Sequence, residues 1–172
     1  MFKYTFKIVF LLAITILIGC RKAPDYPNEP IIRFEKIEKF TVFNPLSQVY
    51  SDSVVISIHF TDGDGDLGLS TEDVEDPKYK DKYNYMVKIF RRVNNQFELW
   101  DPPISSSGNF APLVDKGYRG PIDGILKRNI DFPISQPSIP ANSVVRFEIQ
   151  IMDRALNKSN TITTSEITVK AQ

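Results

Sequence analysis

An all-β fold, a sandwich of about seven strands, is predicted for this 172-residue chain by three observations. Apolar residues recur at every second position in several segments. Clusters of Pro, Gly, Asn, Asp and Ser separate those segments at short intervals. No long stretch carries a helical period. The apolar share of 42% is enough for a packed core, which argues against wholesale disorder.

The first residues read as an address. Lys3 and Lys7 give a positive start, and Ile8 to Ile18 is apolar but for Thr15 and shorter than the roughly 20 residues a spanning helix needs. The run ends in Leu17-Ile18-Gly19-Cys20, which resembles the lipobox of bacterial lipoproteins. That resemblance implies cleavage before Cys20 and acylation of its thiol; the alternative is a plain secretory signal with a chance cysteine. Cys20 is the only cysteine, so an internal disulfide and a cysteine-rich zinc site are both excluded. Residues 20–30 carry Pro24, Pro27 and Pro30 at every third position, the pattern of an extended tether. The expected organisation is a signal peptide over 1–19, a lipidated tether over 20–30 and a β-sandwich over 31–172.

Strand by strand, Ile31–Phe43 alternates imperfectly and fits one long strand or two short ones. In Ser53–Thr61, Val54, Ile56, Ile58 and Phe60 share the core face, while Ser57 and His59 share the other. Residues 70–82 are acidic and contain Pro77, the signature of an exposed connection. Tyr83–Val93 and Phe97–Trp100 flank Asn94-Asn95 and form a hairpin. The Pro, Gly and Ser-rich stretch 101–124 is long for a structureless loop, so an edge strand is expected near 110–114. Ile125–Ile134 is a strand in which Pro133, donating no hydrogen bond, must stand on an edge or at a strand end. Ser143–Met152 alternates strictly, with Val145, Phe147, Ile149 and Ile151 inward, and Thr161–Val169 closes the fold.

The stretch that carries chemistry is Phe60-Thr61-Asp62-Gly63-Asp64-Gly65-Asp66-Leu67-Gly68-Leu69, which directly follows the clearest strand. Asp62, Asp64 and Asp66 stand at the i, i+2, i+4 spacing that opens a calcium loop, where a chain wound around one ion turns every second side chain inward. Asp73 falls at the twelfth position, where such a loop takes a bidentate carboxylate. Leu67 replaces the glycine expected at the sixth position and no helices flank the loop, so the geometry is not that of an EF-hand. The alternative reading is a solvated turn whose Asp side chains cap local N–H groups.

Other sites weigh less. His59, the only histidine, is expected at the surface. Trp100 and Tyr118, with Tyr79, Tyr83 and Phe110 nearby in sequence, are the candidates for an aromatic ligand platform, although a tryptophan in such a sandwich is more often core. No G-x-S-x-G nucleophile and no glycine-rich phosphate loop is present, so a non-catalytic protein is expected. Basic and acidic side chains balance at 21 each, which gives nucleic acid no electrostatic hold.

The closing segment VRFEIQIMDRALNKSNTITTSEITV resembles the last two strands of immunoglobulin-like or fibronectin-III-like bacterial domains. The motif pair F-T-D-G-D-G-D-L-G and D-R-A-L-N-K-S-N resembles a family of Bacteroidota lipoproteins to which no activity attaches. These resemblances imply an immunoglobulin-like sandwich on the outer membrane; with no acidic run straight after Cys20, its periplasmic face is expected more than the cell surface. The expected role is a lipid-anchored envelope module that engages a protein partner and is stabilised by calcium. The alternative is a glycan or small-molecule binder of a nutrient-uptake complex.

Overall fold

The computed structural model describes residues 23–46, 48–134 and 139–170. Residues 1–22, with the signal segment and Cys20, lie outside them. Among the described residues no helix is long and apolar enough to cross a membrane.

Among the described residues, regular structure is almost wholly β. The strands are β1 (Ile31–Asn44), β2 (Val49–Asp62), β3 (Tyr85–Val93), β4 (Gln96–Trp100), β5 (Ile122–Pro133), β6 (Ser143–Ile151), β7 (Ile162–Thr163) and β8 (Ile167–Val169). One sheet runs β1-β2-β5; the other runs β4-β3-β6, with β7 and β8 both paired to the far edge of β6. Every pairing is antiparallel. Counting the interrupted last strand as one gives the seven-strand immunoglobulin-like sandwich the alternation predicts.

The core is built from the predicted inward faces. Val54, Ile56, Ile58 and Phe60 of β2 meet Val145, Phe147, Ile149 and Ile151 of β6, and all eight are buried. Ile32, Tyr85, Ile89, Ile130 and Phe132 complete this cluster. The sheets are also tied by a charge: Asp52 of β2 is fully buried and accepts from the Thr41 hydroxyl at 2.8 Å and from Lys170 N at 2.6 Å, with Lys39 Nζ 3.1 Å away. Burial alone would raise its pKa, but these bonds together hold it below the ordinary aspartate value.

Local chemistry explains most boundaries. β1 is one strand, with a register shift between Phe34 and Lys36 where its alternation falters. Asn94 and Asn95 both have positive φ, 48° and 68°, as a two-residue hairpin loop requires. β5 is indeed an edge strand ending at Pro133. The last strand breaks because Thr164 replaces a ladder partner: its Oγ1 accepts from Phe147 N at 3.0 Å while its own N–H donates to Phe147 O at 2.9 Å.

Two expectations are corrected. No strand forms at 110–114: Gly108 bridges Tyr85, and beyond it the segment is held by Leu69 N to Phe110 O, Leu113 N to Leu67 O and the Asn84 side chain, which bonds both the N–H and the carbonyl of Phe110. Pro112, which has no N–H, interrupts the ladder there. The 70–82 connection is not uniformly exposed. It holds a short helix α1 (Thr71–Glu75) and a 3-10 turn (Pro77–Tyr79), whose Tyr79 is buried and donates its hydroxyl to Arg154 O at 2.8 Å.

Candidate metal centre

Asp62 is the last residue of β2 and is fully buried, so the sheet fixes where the acidic loop begins. Its Oδ2 accepts from Gly65 N at 2.8 Å and Asp66 N at 3.2 Å, which curls the loop back over its own first residue. Gly65 has φ of 71°, a region an L side chain enters reluctantly, and a Cβ there would also strike Gly120 O and the Tyr118 ring. Glycine is thus required by both conformation and space.

The curl brings carboxylate oxygens of Asp62, Asp64 and Asp66 within 4.8 Å of one another. Oxygens bound to one calcium ion at about 2.3–2.6 Å lie no more than about 5 Å apart, so the spacing fits a shared ion. In each of the three residues Oδ1 is buried and has no hydrogen-bond partner. Buried polar atoms in folded proteins are nearly always paired, so three such acceptors in one loop call for a donor or a cation.

A fourth carboxylate stands close by. Asp153 lies just past the end of β6, as Asp62 stands at the end of β2; it is fully buried and forms a bridge with Leu67. Its two oxygens accept from Asn157 N at 2.7 Å and Asn157 Nδ2 at 2.8 Å. The same segment braces the loop: Arg154 N donates to Asp66 O at 3.3 Å and Ala155 N to Asp66 Oδ2 at 3.1 Å. The two sequence motifs therefore form one structural unit.

Electrostatics agrees with this crowding. Burial, and then the charges of Asp64 and Asp66, push Asp62 up to about 6. Asp66 also reaches about 6, through burial first and then Asp153 and Asp64. Asp153 is raised mainly by burial, with Asp64 contributing. A divalent cation would offset every one of these repulsions.

The remaining predicted residues are not among these carboxylates. Asp73 is not among the three converging carboxylates. It closes a capping box on α1, accepting from Ser70 N at 2.9 Å while its own N–H donates to Ser70 Oγ at 3.2 Å. Trp100 is half-buried and stacks on Phe132 at 6.1 Å. It lines a crevice of about 360 Å³ with Ile89, Pro102, Pro103, Ile104 and Arg128. Tyr118 does not line that crevice; it lies against Gly65 and donates its hydroxyl to Pro121 O at 3.0 Å. With Tyr79 buried and Phe110 edge-on to Tyr85, these aromatic residues do not share one face.

His59 is half-buried, not freely exposed, with Nε2 2.8 Å from Asp123 Oδ1. Asp123 also accepts from the Tyr26 hydroxyl at 2.8 Å, and that bond does most to hold its pKa below the ordinary value. Tyr26 comes from the proline-rich stretch, whose residues 26–28 lie directly against Gly63. Sequence reasoning passed over Asp153 and Tyr26. The usable signal for Asp153 was positional, an aspartate at the end of a core strand leading a polar loop, as in the first motif. No family model, curated protein or solved structure matches the chain.

Proposed function

We propose that this chain is a lipid-anchored envelope module, non-catalytic, whose sandwich is stabilised by a calcium ion at Asp62, Asp64 and Asp66. The observation that carries the reading is the set of three buried, unpartnered Oδ1 atoms within one tightly curled loop. Calcium suits it better than magnesium, because it accepts irregular all-oxygen shells whereas magnesium demands a tight octahedron and retains water. A protein partner is supported by the far end of the β1–β2 hairpin, where Phe40, Val42, Phe43, Leu46 and Tyr50 are exposed together. The crevice beside Trp100 favours the second reading, a small-molecule or glycan binder, and is near the lower limit of volume for such sites, about 300 Å³.

The calcium half is tested by thermal melting of the mature domain in chelator and in millimolar calcium. Binding to the folded state alone adds about 1.4 kcal/mol at tenfold excess over Kd, a rise of a few degrees in Tm. An unchanged Tm for wild type would refute it. The anchor is tested by fractionation: the native chain should partition with membranes and Cys20→Ala should not. Equal solubility of the two would remove the lipid from the account.

A further inference from the structure

Resting on the cation reading just given, we infer that the Asp62–Asp66 loop is also a latch, in which an ion bound by the carboxylates holds the N-terminal segment Tyr26–Asn28 against the sandwich. Gly63 sits between two of the converging carboxylates, and its open face is covered by that segment. A Cβ on Gly63 would collide with Tyr26 O, and would come within 2.8 Å of Pro27 O and 2.9 Å of Asn28 Oδ1. The segment is pinned a second time by the Tyr26 hydroxyl, which donates to Asp123 Oδ2 at the start of β5. Pro30 is buried where the chain joins β1. Residues 26–30 are therefore part of the domain surface in this state, and not free spacer.

The two events are coupled through the backbone of Gly63. Winding Asp62, Asp64 and Asp66 around one ion fixes the peptide units between them, and so fixes the surface on which Tyr26 and Pro27 rest. Without the ion, three carboxylates with Asp153 beside them repel once ionised. That repulsion works against the backbone hydrogen bonds that curl the loop, and so against the conformation that fits the segment. The consequence is a cation-set standoff. Docking shortens the free chain between Cys20 and the sandwich by about five residues, on the order of 15 Å of reach for an extended proline-rich chain.

The test is backbone NMR of the mature chain in calcium and in chelator, read at two places. Gly63 and Gly65 amide shifts report the ion; order parameters at Tyr26 and Asn28 report docking. In calcium the Tyr26 and Asn28 values should reach about 0.85, and in chelator fall below about 0.6. Tyr26→Phe removes the hydroxyl bond to Asp123 and alters no residue of the acidic loop. That variant should retain the Gly65 shift on adding calcium while the order parameter at Asn28 in calcium falls below the wild-type value. If wild type shows the Gly65 shift yet Tyr26 and Asn28 are equally rigid with and without calcium, the latch is refuted and the ion site stands. If calcium moves neither glycine amide, both readings fall.

Discussion

At the scale of single residues, protonation and the proposed calcium would compete for the same oxygens. Asp62 and Asp66 have folded-state pKa values raised to about 6, against about 3.9 when unfolded. Between those values the native state holds more protons than the unfolded state, so the cation-free domain loses stability as pH rises from about 4 to about 6 and then levels off. Asp52, whose pKa is lowered, contributes in the opposite sense: its stabilisation is present above the unfolded value and is lost as pH falls through the folded one. Calcium needs the ionised forms, so its effect runs against the raised pair. The calcium-induced rise in Tm should be full at pH 7.5 and largely gone at pH 5, as the melting curves of one sample across that range will report. A rise that persists undiminished at pH 5 would place the ion away from Asp62 and Asp66.

At the scale of elements, legibility followed the range of the forces involved. β2 and β6 were readable because a period of two is local, and burial of Val54, Ile56, Ile58 and Phe60 against Val145, Phe147, Ile149 and Ile151 enforces it. The Asn94-Asn95 turn was readable because positive φ at both positions is a property of those two residues. The break between β7 and β8 was not, since it depends on the Thr164 hydroxyl finding Phe147 N across the sheet. The missing strand at 110–114 reflects Pro112, whose absent donor outweighed the loop-length reasoning that called for pairing. Asp73 shows the limit of spacing as a guide. It stands at the twelfth position of a calcium pattern, but the nearer Ser70 captures its carboxylate in a helix cap.

At the scale of the whole molecule, the candidate site exists because the topology returns β6 beside the end of β2. Ala155 N reaches Asp66 across 89 residues of chain, a contact no local pattern encodes. The sheets thus place Asp62 and Asp153, and the proposed ion would offset the repulsion gathered at that end of the fold. The measurement that tests this most directly is a calorimetric titration of the mature chain with calcium. One ion per chain should bind wild type, with a Kd of about 10⁻⁴–10⁻³ M as in extracellular modules, and magnesium should compete poorly. Asp64→Asn should abolish the binding while Asp73→Asn leaves it unchanged. Absence of binding to wild type, or binding to Asp64→Asn as tight as to wild type, would contradict the account.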